Sequence, residues 1–138
     1  MAEKLDNTAL TTMLPGTRRW LWGDRQRVSK VLGTVGATGV HSLVLATGPR
    51  PLALQGLLIA SAASRTAADT AINALIQAVE DLCDAGTEIH WEDDMGHSGA
   101  HLVLTGLRMI GPRTYSADGK QAWQRYVLAG RENYGDLS

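Results

Sequence analysis

The stretch 66–86 constrains the fold more than any other part of the chain, because its apolar residues follow a helical period. Thr66 offers an N-terminal cap, with Asp69 as its capping-box partner, and Gly86 offers the left-handed conformation that ends a helix. We therefore predict one amphipathic helix, about residues 67–84, that packs one face against the rest of the domain. The apolar stripe consists of Ala71, Ile72, Leu75, Ile76, Val79, Leu82 and Cys83.

The predicted helix ends in carboxylates that its own sequence does not balance. Asp81 and Asp84 lie in the last turns, where the negative end of the helix dipole disfavours each of them by about 0.3–1 kcal/mol. A cation from outside the helix would remove this mismatch. We therefore predict that Asp81 and Asp84 belong to an interface and meet an arginine of a neighbouring subunit.

The length and composition limit the classes of protein to consider. With 138 residues, 44% of them hydrophobic and 20% charged, the chain is expected to form a single core. Its net charge of −1 disfavours a main role in binding nucleic acid or an anionic membrane. No apolar run approaches the roughly 18–20 residues that a membrane span needs, and the start is too polar for a signal peptide. We expect a protein made and assembled in the cytoplasm.

Cys83 is the only cysteine of the sequence. One chain therefore forms neither a disulfide nor a cysteine-rich zinc site. Because Cys83 belongs to the apolar stripe of the helix, we predict a buried, inert thiol. No residue is assigned a catalytic role, and no cofactor is expected.

Short strands are predicted on both sides of the helix. Glycines interrupt an apolar stretch before it, and Asp118-Gly119 marks a tight turn after it. The predicted fold class is α+β: an antiparallel β-sandwich or small barrel with the one amphipathic helix packed on it. The strand segments are two or more short strands within 28–48, a buried strand at 52–60, and later strands at 88–91, 100–110 and 121–129.

The sequence also predicts how the chain is divided. Residues 1–16 are polar and without a persistent period, which suits an N-terminal arm or loosely held lead-in. Residues 17–130 form a single β-rich domain with one helix. Residues 131–138 form a polar C-terminal tail.

Gly33, Gly36 and Gly39 invite comparison with a dinucleotide-binding loop. Such a loop needs a crossover helix directly after it, and the segment that follows is too short and too rich in turn and β-branched residues. A glycine-rich hairpin or loop is therefore preferred over a nucleotide site.

A second candidate for chemistry is a loop rich in imidazole and carboxylate groups. These residue types suit zinc or iron, with His90, His97 and His101 as the candidate ligands. Their spacing does not match a helix-borne His-Glu-x-x-His motif, so a solvated acidic loop is preferred and no metal is assigned. The loop contains His90, Glu92, Asp93, Asp94, His97 and His101.

Basic and indole side chains alternate in a short segment near the N-terminus. Together with Arg25, Arg27 and Lys30, this mixture suits single-stranded nucleic acid, but the balanced net charge disfavours stable binding. Arginine and tryptophan also anchor protein interfaces. We therefore predict a subunit contact that involves Arg18, Arg19, Trp20 and Trp22.

The predicted elements follow the order strand, capped helix, strand and long hairpin over roughly the C-terminal two-thirds of the chain. This order resembles the core of the phage tail-tube fold, which tail-tube subunits, tail terminators and the ring-forming domains of distal tail and baseplate hub proteins share. The segments that carry the resemblance are 50–59, 67–84 with Ala85-Gly86, 88–91, 101–111 and 121–129.

The resemblance implies a structural virion protein and not an enzyme. Copies would form a ring, a hexamer or alternatively a trimer, with sheets joined edge to edge around a lumen. Neighbouring tail or baseplate proteins would be the other partners, and the ring would reside in the virion tail after assembly in the host cytoplasm. A distal-tail or baseplate subunit is the leading interpretation, with a tail-tube or tail-terminator subunit as the alternative.

Two functions of other classes stay open at this point. One is a small metal-dependent enzyme or ligand-binding domain that uses the loop 90–101. The other is a single-stranded nucleic-acid-binding module that uses residues 18–30.

Overall fold

Strands dominate the computed structural model, which describes residues 3–23, 27–33, 40–47 and 49–133, with backbone alone for 27–33 and 40–47. The predicted α+β class is confirmed, since one long helix packs on a mainly antiparallel sheet. In chain order the described elements are β1 (Lys4–Leu5), β2 (Thr8–Ala9), α1 (Leu10–Met13), β3 (Gly16–Trp22), β4 (Arg27–Gly33), β5 (Val40–Thr47), β6 (Arg50–Ser61), α2 (Arg65–Ala85), β7 (Ile89–Glu92), β8 (Ser98–Tyr115) and β9 (Gln121–Glu132).

Seven of these strands form one sheet in the order β2-β1-β7-β8-β9-β6-β3, with every neighbouring pair antiparallel. In a flat sheet, four strand spacings of about 4.8 Å would separate β3 from β7 by about 19 Å. Yet the ring centroids of Trp20 and Trp22 on β3 lie 6.0 and 4.8 Å from that of Trp91 on β7. The sheet is therefore strongly curled, with a concave inner face.

The inner face of the sheet holds the core because apolar residues alternate along the central strands. On β6, Leu52, Leu54 and Leu58 are buried, whereas the residues between them are half-buried. On β9, Tyr126 and Leu128 continue the same face. Helix α2 lies across this face, in contact with β6, β8 and β9. Its fully buried residues are Ala68, Ile72 and Val79.

The ends of α2 confirm one predicted cap and correct the other. Gly86 closes the helix in the left-handed conformation, with φ of 64°. At the start, however, the capping oxygen is that of Ser64, which accepts from the Ala67 backbone N–H at 3.2 Å. Asp69 is not part of a capping box, because it binds residues of β8 instead. No helix in the described ranges is long and apolar enough to span a membrane.

Part of the predicted N-terminal lead-in is built into the domain. Strand β1 pairs with β7, and Leu5, Leu10 and Leu14 are fully buried. Their irregular spacing carries no period, so the sequence pattern did not reveal them. At the other end, the first residues of the predicted tail belong to β9, which extends to Glu132, and residues 134–138 lie outside the described part.

The glycine-rich segment connects two strands of a hairpin. Strands β4 and β5 pair antiparallel from Arg27↔Thr47 to Gly33↔Val40, as a two-stranded sheet of their own. Antiparallel pairing across so short a connection excludes the crossover helix of a dinucleotide-binding unit. The hairpin alternative is therefore confirmed, and residues 34–39, with Gly36 and Gly39, lie outside the described part.

Gly56 allows β3 and β6 to approach each other closely. A Cβ at this position would lie 1.9 Å from the backbone oxygen of Thr17, which no side chain tolerates. Gly56 is therefore required for the close pairing of β3 with β6. This pairing places Arg19 on the sheet.

Candidate assembly interface

The residues predicted for the N-terminal interface divide between the core and the surface. Trp20 and Trp22 are half-buried and stack at a centroid distance of 6.2 Å. The indole N–H of Trp20 donates to Glu3 at 2.7 Å, and Arg18 donates to the same carboxylate at 3.0 Å. Arg19 alone of the four is exposed. Contacts within the chain thus engage Arg18, Trp20 and Trp22, whereas the Arg19 side chain makes no ion pair or hydrogen bond within the described ranges.

Glu132 is a buried carboxylate, and the sequence alone did not single it out. It connects the end of β9 to the start of β6 and to β7. Glu132 is only 8% exposed, accepts from the Trp91 indole N–H at 2.7 Å, and accepts from Arg50 Nε at 2.8 Å. The Arg50 guanidinium also lies 3.9 Å from the centroid of the Trp22 ring. Arg50 and Glu132 are far apart in sequence and meet only through the register of β6 with β9. The available signal was the period of two along β9, which places Glu132 on the inner face with Tyr126 and Leu128.

A third arginine joins α2 to the sheet. Arg113 of β8 donates to Asp69 and, at 2.8 Å, to Asn73. The Tyr115 hydroxyl also donates to Asp69, at 2.7 Å. The hydrogen bond from Tyr115, followed by that from Arg113, lowers the pKa of the Asp69 carboxyl below its ordinary value. This contact holds the first half of the helix on the sheet.

The arginines on the outer face of the sheet are exposed, whereas Arg18, Arg50 and Arg113 are half-buried. We call this outer face the arginine face: the outer surface of β3, β6, β9 and β8. Its arginines are exposed, and none has an ion pair or hydrogen bond from its side chain within the described ranges. Glu132 is the only carboxylate in these four strands, and it lies on the inner face. The arginines are Arg19, Arg108, Arg125 and Arg131.

The strand register places these arginines in a regular array. Arg19 lies opposite Gln55, Gln55 opposite Val127, and Val127 opposite Arg108, so one row crosses all four strands. Arg125 lies diagonally from Arg108 on the neighbouring strand, about 7–8 Å away between Cα atoms. Exposed arginines therefore lie on three of the four strands, β3, β9 and β8, although the chain as a whole carries a charge of −1.

A groove of about 830 Å³ crosses the arginine face. Half-buried Leu57 and Trp123 line it together with Arg19 and Arg125. A bulge of β8, where the register shifts between Ile110 and Thr114, forms another part of the lining. The Gln124 amide holds this bulge by donating to the carbonyl of Gly111 at 3.2 Å. The face therefore combines apolar area with positive charge.

The predicted interface residues at the end of α2 lie on the opposite side of the molecule. We call Glu80, Asp81 and Asp84 the acidic helix end; Asp81 and Asp84 are exposed, and Asp81 accepts from Gln77 at 2.9 Å. The last turn contains no basic residue. Burial, followed by the nearby Asp84 and Glu80 carboxylates, raises the pKa of the Cys83 thiol. Cys83 packs against the core from the apolar stripe, but it is half-buried, whereas the sequence predicted a buried thiol.

The structure does not gather the histidine-rich loop into a metal centre. His97 contacts Asp93, with 3.3 Å between Nδ1 and Oδ2, whereas His101 contacts Glu88 at 2.8 Å. His90 has a buried Nδ1 without a hydrogen-bond partner. Within the described ranges, no three His, Cys, Asp or Glu side chains are placed to hold a metal ion. Asp93, buried at 3% exposure, instead organises the loop by accepting from the backbone N–H groups of Met95 and His97.

Comparisons with protein-family models and with curated proteins gave no match.

Proposed function

We propose that this protein is a structural subunit that assembles with copies of itself into a ring. The observation that carries the proposal is the β4–β5 hairpin, which forms a sheet of only two strands. A two-stranded hairpin is marginally stable in water unless another element covers or extends it. Within the described ranges, neither of its strands pairs with a strand of the seven-stranded sheet. A neighbouring copy would supply the missing strand or cover.

The edge of the main sheet supports the same proposal. Strand β3 is the last in the sheet order, so one side of its backbone has no neighbouring strand within the described part. Unpaired strand edges favour pairing with a strand of another chain. The hairpin follows β3 closely along the chain, since β3 ends at Trp22 and β4 begins at Arg27.

The element order supports placing this ring in a phage tail. The described elements follow the order strand β6, helix α2, strand β7 and β8–β9 hairpin. This is the order that resembles the phage tail-tube fold. We propose a non-enzymatic distal-tail or baseplate ring subunit, with a tail-tube or tail-terminator subunit as the alternative. Its partners would be further copies, as a hexamer or a trimer, and neighbouring virion proteins. The ring would be assembled in the host cytoplasm and reside in the virion tail.

Negative-stain microscopy and size-exclusion chromatography with light scattering test this proposal. We expect closed rings or stacked rings from the purified protein. A matched variant replaces residues 25–48 with Asn-Gly, which joins the paired ends of β3 and β6 by a short turn. It should keep the circular dichroism spectrum of the sheet and lose the rings. A wild-type protein that stays monomeric at high concentration would refute the proposal.

A further inference from the structure

The two charged surfaces of the protomer face away from each other. Helix α2 covers the inner face of the sheet, and its exposed acidic helix end lies on the solvent side of that layer. The arginine face is the outer surface of the same sheet. One protomer therefore cannot join its own two surfaces, but two protomers stacked in the same orientation bring them together.

The charges of the two surfaces are complementary. The arginine face carries four exposed arginines and no carboxylate in its described strands. The acidic helix end carries three carboxylates, no basic residue in its last turn, and the negative end of the helix dipole. The groove on the arginine face also offers apolar lining from Leu57 and Trp123, which suits a protein surface as partner.

We infer that the acidic helix end of one copy docks on the arginine face of the next copy. This inference rests on the proposed self-assembly and specifies one of its contacts. Such a contact joins two different surfaces, so it propagates head to tail and yields either a closed ring or a stack. It also gives Asp81 and Asp84 the external arginines that the sequence predicts for them.

The size of the face indicates that this contact works together with others. Four strands about 4.8 Å apart and about seven residues long cover about 400–450 Å² of sheet. A contact of that size on each partner buries about 800–900 Å² in total, which is less than the roughly 1,200 Å² that stable protein interfaces bury. Because its charges are exposed, the contact should weaken as salt screens them. The hairpin and strand-edge contacts of the proposed ring would supply the remaining area.

Charge reversal followed by mixing tests the inference in the full-length protein. One variant carries Arg19→Glu and Arg125→Glu, and the other carries Asp81→Lys and Asp84→Lys. Each alone replaces opposite charges with like charges at two positions of every docking contact, so we expect association at least tenfold weaker by sedimentation velocity. An equimolar mixture restores opposite charges at both alternating contacts and should recover assembly. Lys120→Glu, an exposed change in the β8–β9 turn, is the control and should assemble like wild type.

The outcomes separate the inference from the proposal beneath it. If wild type and both charge variants assemble equally well, the docking contact is refuted and the ring proposal stands. If wild type never assembles, both are refuted. A labelled single-stranded oligonucleotide serves as a third probe: if the arginine variant loses oligonucleotide binding, and mixing does not restore assembly, the face binds nucleic acid and the docking inference is wrong.

Discussion

Two groups of arginines on the same small domain differ in whether the chain pairs them. Arg18, Arg50 and Arg113 have side chains only 10%, 28% and 19% exposed, and each meets a carboxylate. The arginine face carries four that are exposed and have no such partner in the described ranges. A charge withdrawn from water is costly unless it is paired, whereas an exposed guanidinium remains solvated. The difference assigns stability to the paired arginines and makes the arginine face the surface for the proposed association.

The largest expected difference in unfolding free energy is between substitutions of a tryptophan on the inner face and of one on the outer face of the sheet. Trp91 is 1% exposed and packs against Trp20 and Trp22 on the inner face, so Trp91→Ala should lower the free energy of unfolding by about 3–5 kcal/mol. Trp123 is half-buried on the outer face, and Trp123→Ala should lower it by about 1 kcal/mol. Urea unfolding followed by circular dichroism measures both. Equal losses for the two variants would contradict the division between the faces.

The second-largest expected loss of stability comes from removing the carboxylate that pairs with Arg50. Glu132→Ala deprives Arg50 and the Trp91 indole of an acceptor, and should cost about 3 kcal/mol of unfolding free energy. Arg125→Ala removes an exposed charge from the arginine face and should change the unfolding free energy by less than about 0.5 kcal/mol. Glu132→Gln keeps an acceptor and should fall between them. A loss from Arg125→Ala as large as that from Glu132→Ala would overturn the comparison.

The inner face also predicts a loss of stability in alkali. Burial raises the pKa of Tyr126 from 10.0 to about 12, so the folded state keeps this proton over a range where the unfolded state releases it. Stability should therefore fall as pH rises from 10 to 12, by about 2–3 kcal/mol in total. Tyr126→Phe should remove this part of the decline in pH-dependent urea unfolding. An unchanged decline in Tyr126→Phe would show that other groups cause it.

The smallest expected effect appears in acid and concerns the helix contact. The pKa of Asp69 lies below the ordinary 3.8 because of Tyr115 and Arg113, so its ionised form favours the folded state. This stabilisation is present above pH 3.8 and is lost as pH falls through the lowered value. In Asp69→Asn, thermal unfolding between pH 5 and pH 2 should show a shallower loss. Asp94→Asn, an exposed change in the loop between β7 and β8, is the control and should keep the wild-type slope.

The sequence predicted features whose signal is local and failed where contacts are distant. The period of α2 and the left-handed Gly86 lie within one continuous segment, and both were confirmed. The N-terminal cap was misplaced by two residues because Ser64 and Thr66 are both good capping residues. The carboxylate partners of the paired arginines were missed because Glu3 with Arg18 and Arg50 with Glu132 meet only through tertiary structure and strand register.

The candidate site was predicted in part for the same reason. Arg19, Asp81 and Asp84 are exposed, as an interface requires, and their role there stays a prediction. Trp20 and Trp22 were assigned to the same surface, although alternation along β3 turns them towards Trp91. Arg108, Arg125 and Arg131 were not singled out, because nothing in the sequence alone indicates that their strands lie beside β3 and β6.

Sedimentation velocity of the wild-type protein over a concentration series tests the central claim most directly. We expect species built from several 14.8 kDa protomers that grow with concentration and dissociate as salt is raised. A single 14.8 kDa species at every concentration and salt level would contradict this expectation.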